Sequence, residues 1–169
     1  MAYDFKNITV LIVDSQPAIV DLIHSVLHMF GIRNVVTRSN GKSGLRAFQQ
    51  SNPDILIVDW DLEGFDGLEF TRRVRTGKTN PFVPIIFMTS FSSEKRVRMA
   101  RDSGVTEFLK KPFTAESLYK RIEEIIERPR QFVRADSYIG PDRRRNKKLE
   151  YQGPERRIDD PEEIDLSGK

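Results

Sequence analysis

The chain has 169 residues, 38% of them hydrophobic and 31% charged, with a net charge of +3 at neutral pH, which is room for one soluble domain and an appendage. It contains no cysteine, and this excludes disulfides, thiolate nucleophiles and cysteine-ligated metals. Apolar runs such as Ile8 to Val13 and Ile55 to Val58 fall far short of the roughly 18 residues of a membrane span, and no cleavable leader is evident, so a cytoplasmic protein is expected.

In chain order, β-rich runs alternate with amphipathic ones. Strands are predicted over Ile8 to Asp14, Asn34 to Arg38, Asp54 to Asp59, Pro84 to Thr89 and Val105 to Leu109, rich in Val, Ile and Phe and bounded by Gly, Pro, Asn or Asp. Between them, Pro17 to Phe30 places Ile19, Ile23, Val26, Leu27 and Phe30 on one face and stops at Gly31. Further helices are predicted over Gly41 to Gln50, Gly67 to Thr76 and Glu94 to Ser103, the last stopped by Gly104. A final helix, Ala115 to Arg128, starts behind Thr114, aligns Leu118, Ile122, Ile125 and Ile126, and ends before Pro129.

Such alternation implies βαβ crossovers, hence a mostly parallel sheet covered by helices on both faces. Polar chemistry in such a sheet collects at the carboxyl ends of the strands, where strand order reverses. Those ends carry Asp14-Ser15, Asp59-Trp60-Asp61, Thr89-Ser90 and Lys110-Lys111-Pro112-Phe113. Carboxylates suit a hard divalent cation, while an ammonium and a hydroxyl suit a phosphoryl group. Asp59, at the end of a buried apolar run, is the natural nucleophile.

Leu11-Ile12-Val13-Asp14, Ile57-Val58-Asp59-Trp60, Asp66-Gly67-Leu68-Glu69, Met88-Thr89-Ser90 and Lys111-Pro112-Phe113 together resemble the receiver domain of bacterial response regulators, CheY-like proteins in particular, over residues 6–128. The resemblance implies a flavodoxin-like sheet of order 2-1-3-4-5. It also implies Asp59 as phosphoacceptor, Asp14 in an acidic pocket, Thr89 as switch hydroxyl and Lys111 as the amine facing the phosphate. Mg²⁺ would then be held by Asp14, Asp59 and the backbone carbonyl of Asp61, with a histidine kinase as phosphodonor. Three positions depart from the family pattern. Ser15 stands where a second acidic metal ligand is usual, Glu63 where proline is frequent, and Phe108 keeps the ring of the aromatic switch residue without a hydroxyl. Loss of a carboxylate should weaken Mg²⁺ binding unless Asp61 or water compensates.

Several other residues have plain readings. Trp60 is expected at the rim of the pocket. His24 and His28, four apart on the first helix, are expected on its exposed face, since no third ligand accompanies them. Lys95, Arg96, Arg98 and Arg101 form a solvated basic helix face. No triad, P-loop or dinucleotide fingerprint is present, so no enzyme is expected.

Beyond Arg128 no sustained hydrophobic period remains, and four of the nine prolines fall there. Residues 129–169 are therefore expected to form a tail that stays disordered until a ligand organises it. Nine Lys/Arg stand against four Asp/Glu between Arg130 and Ile158, and an acidic run, Asp159 to Asp165, follows. One phrase is written twice: Tyr138-Ile139-Gly140-Pro141-Asp142-Arg143-Arg144-Arg145 and Tyr151-Gln152-Gly153-Pro154-Glu155-Arg156-Arg157-Ile158. Arginine forks pair with guanine O6 and N7 or with phosphate oxygens. Asp142 and Glu155 can accept from the guanine N1 and N2 donors, Tyr138 and Tyr151 offer rings for stacking, and the Gly-Pro pairs allow close turns.

Cyclic di-GMP, with two guanines and two phosphates about a twofold axis, matches such a doubled phrase. A CheY-like receiver followed by this arginine-rich segment is similar to the Cle class of cyclic di-GMP-binding CheY-like proteins. That resemblance, over Arg134 to Ile158, implies ligand contacts from Tyr138, Asp142, Arg143, Arg144, Arg145, Tyr151, Glu155, Arg156 and Arg157, with output at the flagellar motor switch or adhesion machinery. The leading expectation is thus a cyclic di-GMP effector. An ordinary single-domain receiver phosphorylated on Asp59 is the alternative, and nonspecific nucleic-acid binding through the basic run is a third.

Overall fold

A computed structural model of the chain describes residues 5–90, 93–135, 137–142 and 162–164. Five strands, β1 (Thr9–Val13), β2 (Asn34–Arg38), β3 (Ile55–Asp59), β4 (Ile85–Thr89) and β5 (Glu107–Lys110), alternate with α1 (Pro17–Met29), α2 (Gly41–Ser51), α3 (Gly67–Thr76), α4 (Glu94–Asp102) and α5 (Ala115–Glu127). The strands are parallel, in the order β2-β1-β3-β4-β5. This is the expected doubly wound, flavodoxin-like sheet.

The period-2 alternation of each strand builds two cores. Leu11, Val13, Leu56, Val58, Ile85 and Phe87 face α2 and α3, meeting Phe48, Phe70 and Val74. Val10, Ile12, Ile55, Ile57, Ile86 and Met88 face α1 and α5, meeting Ile23, Leu27, Leu118 and Ile122. Both faces are covered, so β1, β3 and β4 read as unbroken apolar runs in the sequence.

Helix ends follow local chemistry. Asn40 caps α2 by accepting from Ser43 N at 2.9 Å, and Asp66 caps α3 by accepting from Glu69 N at 2.8 Å. Thr114 and Ser117 exchange both bonds of a capping box ahead of α5. Gly31 and Gly104 take the left-handed conformation, at φ 87° and 90°, and end α1 and α4 as their positions predict. The fifth strand begins at Glu107 rather than Val105, because the loop uses Thr106 as a clasp. Its N–H donates to the Ile85 carbonyl at 3.0 Å, and its Oγ1 accepts from Ile85 N at 3.0 Å.

The C-terminal region differs from expectation. Instead of a segment without structure beyond Arg128, β6 (Phe132–Ala135) and β7 (Tyr138–Pro141) form an antiparallel hairpin, and β8 (Glu162–Ile164) pairs on the other side of β6. The hairpin has only two strongly buried apolar residues, Phe132 and Val133, at 3% and 4% exposure. Its order comes from long-range contact with the domain. The Phe132 ring meets Phe82 edge-on at 5.8 Å and lies 5.1 Å from the Arg75 guanidinium. Arg75 is buried in turn, donating from Nε to the Gly104 carbonyl at 2.9 Å and from Nη1 to Pro81 and Val83 carbonyls, both at 2.7 Å. These carbonyls belong to the loops that enter β4 and β5. Gly140 approaches Gly104 so closely that a Cβ added at Gly140 would lie 2.8 Å from the Gly104 Cα. Arg130 completes the clasp, donating to the Thr106 carbonyl at 3.2 Å and to that of Asp142.

Candidate functional site

β1 and β3 are neighbours, and strand order reverses about them, so Asp14 and Asp59 reach the same rim. The last turn before α5 brings Lys111 across from β5. Its backbone N–H donates to the Thr89 carbonyl at 2.9 Å, which locks the β5 exit to the end of β4. The Lys111 ammonium then lies 2.8 Å from Asp14 Oδ2 and 2.8 Å from Asp59 Oδ1. Asp14 Oδ1 accepts from Gln16 N at 2.7 Å, so both of its oxygens are engaged. Asp14, Asp59 and Thr89 are 2%, 3% and 5% exposed.

Burial penalises the charged form of Asp59 and raises its pKa above the ordinary 3.8, with neighbouring Asp14 adding to the rise and the hydrogen bond from Lys111 opposing it. Burial pulls Lys111 down, but its hydrogen bonds to Asp14 and Asp59 outweigh that effect, and its pKa stands above 10.5. The pocket therefore holds a carboxylate poorly compensated in its ionised state beside an ammonium held firmly charged. Added positive charge or a neutral adduct on Asp59 relieves that state.

The floor of the pocket is as constrained as its walls. Gly67, first residue of α3, donates its N–H to the Trp60 carbonyl at 2.9 Å, and a Cβ there would sit 2.3 Å from the Asp59 carbonyl oxygen. Only a residue without a side chain lets α3 start against the end of β3. Asp61 and Ser15 are exposed at the rim.

Trp60, expected at the rim, is instead buried at 8% exposure. Its ring meets Phe87 edge-on at 5.3 Å and lies 5.1 Å from the Arg96 guanidinium; being next to acidic residues in sequence placed only its backbone at the rim. Arg96 accordingly leaves the solvated face expected of α4, whereas Lys95, Arg98 and Arg101 remain exposed. His24 and His28 lie on the exposed face of α1, rings stacked at 6.4 Å. Among the described residues no group of three or more His, Asp or Glu side chains is placed to hold a metal ion.

Of the tail residues, Tyr138 and Asp142 are described. Tyr138 is half-buried and donates its hydroxyl to the Pro141 carbonyl at 2.8 Å, and Asp142 N donates to the Gln131 carbonyl at 2.7 Å. Arg143, Arg144, Arg145, Tyr151, Glu155, Arg156 and Arg157 lie outside the described residues. Arg75, Gly104 and Arg130, which seat the hairpin, were not singled out for this role by the sequence. Gly104 reads as a helix stop, and Arg75 as one of several charges on α3.

The fold and pocket define a class: a doubly wound α/β domain with two carboxylates and a bridging ammonium at its switch point. The chain belongs to the response regulator receiver domain family, whose sequence profile matches residues 10–123. It is similar to the chemotaxis protein CheY of Pseudomonas aeruginosa, 30% identical over 119 residues that cover 70% of this chain and 96% of that protein. The structure of Vibrio cholerae CheY4 superposes with a TM-score of 0.66 at 29% identity, covering 70% of this chain and 98% of the other. The receiver domain of the Pseudomonas aeruginosa sensor histidine kinase PA1611, solved with a magnesium ion coordinated in the active site cleft, gives 0.65 at 25% identity, covering 70% of this chain and 97% of that one. No helix among the described residues is long and apolar enough to cross a membrane.

Proposed function

We propose that this chain is a CheY-like signalling protein that accepts a phosphoryl group on Asp59 from a histidine kinase and passes the resulting state to a protein partner such as the flagellar motor switch. One observation carries the reading: a single ammonium, Lys111, lies 2.8 Å from both the candidate nucleophile and its acidic neighbour. An Asp59 oxygen attacks phosphorus in line with the donor nitrogen. A P–O bond forms, the P–N bond breaks, and the imidazole leaves with the electron pair. Lys111 exchanges the lost carboxylate charge for a phosphoryl oxygen without leaving Asp14. Thr89, at the end of β4, would supply the hydroxyl that follows the new group.

The oxygen donors also fit Mg²⁺: Asp14 and Asp59 already draw one cation between them, and Asp61, whose carbonyl would join them, lies in the loop just past the end of β3. When bound, the ion would neutralise charge developing on the phosphoryl oxygens. Ser15 in place of an acid makes this a lean site. Incubation with labelled acetyl phosphate and Mg²⁺ tests the reading: wild type should take up label and Asp59→Asn should not. An unlabelled wild type would reduce the receiver to a scaffold.

A second reading concerns input. The doubled Tyr-x-Gly-Pro-acid-Arg-Arg phrase favours cyclic di-GMP as a ligand of residues 138–157, with Arg143, Arg144, Arg145, Arg156 and Arg157 on guanine or phosphate, Asp142 and Glu155 on the guanine edge, and Tyr138 and Tyr151 stacked on bases. It is supported by the position of the first copy, which begins in a strand attached to the receiver. Calorimetry with cyclic di-GMP should give a heat that is lost in an Arg143/Arg144/Arg156/Arg157→Ala variant and absent with cyclic di-AMP. Equal behaviour of variant and wild type would sink it.

A further inference from the structure

Where the hairpin meets the receiver it encloses a cleft of about 80 Å³, walled by Arg101 of α4 and by Thr106 and Phe108 at the β5 edge on one side, and by Arg130, Tyr138 and Pro141 on the other. The cleft exists only while the hairpin is seated, since the second side comes from the chain beyond α5. Its two cations differ. Arg130 is held against the backbone by donating to the Thr106 and Asp142 carbonyls. Arg101 stands exposed in the last turn of α4, and no carboxylate among the described residues forms an ion pair with it. Arg98, one turn earlier, is by contrast paired with Glu94. Among the described residues no Asp or Glu lines the cleft. The apolar part is two rings, and both are fixed before anything binds. Phe108 meets Phe87 edge-on at 6.4 Å, and the Tyr138 hydroxyl donates to the Pro141 carbonyl at 2.8 Å.

One guanidinium without a counterion calls for one negative charge, and its planar fork matches a carboxylate, whose two oxygens accept side by side. Two fixed rings call for a flat apolar body to lie against them. At about 10–15 Å³ per water the cleft has room for several waters, hence for one six-membered ring with a small substituent and for little more. We propose that this cleft binds a small aromatic monocarboxylate, with the carboxylate on Arg101 and the ring against Phe108 and Tyr138. Such a ligand touches α4 and the β5 edge on one side and the hairpin on the other. It therefore binds only the seated hairpin and holds it down. The site uses neither the acidic pocket nor any side chain beyond Pro141.

Benzoate is the probe, titrated into the full chain and followed by backbone amide shifts in a proton–nitrogen correlation spectrum. The shifts should saturate and centre on Arg101, Thr106, Phe108 and Tyr138. Benzamide keeps the ring without the charge and acetate keeps the charge without the ring, so each should bind about tenfold more weakly or worse. Arg101→Ala should weaken benzoate about tenfold to a hundredfold, as loss of a charged hydrogen bond does, and leave the melting temperature of the unliganded protein unchanged because the side chain is exposed. Phe108→Leu should weaken it about twofold to tenfold through the lost ring contact. Arg98→Ala removes the same charge one turn away on α4 and should bind like wild type. A wild type without saturating shifts overturns the proposal, as does wild-type affinity in Arg101→Ala or in Phe108→Leu. Acetate binding as well as benzoate, or Arg98→Ala losing as much as Arg101→Ala, reduces the effect to diffuse charge and overturns it equally.

Discussion

Replacing Asp59 by Asn should make the folded protein more stable at neutral pH while abolishing its capacity for a phosphoryl group. The carboxylate is 3% exposed and its pKa is raised, first by burial, so its ionised form costs the fold free energy at pH 7. An amide keeps the shape and removes the charge. Lys111 loses one partner at 2.8 Å but retains Asp14 at 2.8 Å, so no buried ammonium is orphaned. The expected result is a rise of about 3–6 °C in melting temperature, equivalent to about 1 kcal/mol for a domain of this size. A raised carboxylate pKa means that the folded state binds the proton more tightly than the unfolded chain. Wild type therefore gains stability relative to the variant as pH falls through the folded pKa of Asp59 toward its ordinary 3.8, and the advantage of Asn closes there. Urea melts at pH 7 and at stepwise lower pH measure both effects. Asp14→Asn is the contrast: both Asp14 oxygens accept hydrogen bonds, from Gln16 N at 2.7 Å and Lys111 at 2.8 Å, so an amide must turn a donor toward a donor and lose about 1–2 kcal/mol. If Asp59→Asn proved less stable than wild type at pH 7, or its advantage widened on acidification, the balance between burial and the Lys111 bond would be wrong.

Other outcomes follow from the same geometry. Ser15→Asp should tighten Mg²⁺ binding by roughly tenfold or more by returning a carboxylate to the rim, read from the fluorescence of Trp60, the only tryptophan; unchanged affinity would mean that position 15 does not face the ion. Gly67→Ala, whose Cβ would sit 2.3 Å from the Asp59 carbonyl oxygen, should cost about 1–3 kcal/mol as α3 is pushed off β3 and slow acetyl phosphate labelling, and a variant of full stability and rate would contradict the close approach. Phe132→Ala should cost about 3–4 kcal/mol in a urea melt, because its ring covers Arg75 and meets Phe82; a tail detached from the domain would leave the melt unmoved.

The receiver was legible because each of its signals is local or periodic. Unbroken apolar runs mark β1, β3 and β4, glycines at 31 and 104 stop two helices, and Thr114 starts α5, so element limits fall within two residues of expectation. Asp14, Asp59, Thr89 and Lys111 could be picked out because a parallel sheet sends its strand ends to one rim whatever the side chains are. Packing between distant segments left no such mark. Trp60 looks like a rim residue until Phe87 and Arg96 enclose it. The strands β6 and β7 look solvated because Arg134, Gly140 and Pro141 interrupt any apolar period, and what orders them is the Phe132 ring against Phe82 and Arg75, Arg130 bonded to the Thr106 and Asp142 carbonyls, and a glycine opposite a glycine, none of which a hydropathy pattern records.

That hidden attachment bears on how the two proposed inputs would relate. The acidic pocket lies at the carboxyl ends of the strands, while the hairpin grips the loops that enter β4 and β5, so pocket and hairpin stand at opposite ends of the sheet. Between them runs a series of ring contacts: Phe108, which lines a small cleft with Tyr138 of the hairpin, meets Phe87 edge-on at 6.4 Å, and Phe87 meets Trp60, the neighbour of Asp59, at 5.3 Å. A close-packed interior transmits strain along such contacts. If a ligand of the proposed dinucleotide segment shifts Phe108, linkage requires the effect to be reciprocal: that ligand must change the equilibrium level of Asp59 phosphorylation by the factor by which phosphorylation changes its affinity. Equal affinity of wild type for cyclic di-GMP with and without phosphorylation, measured by calorimetry, would show that the two ends of the sheet act independently.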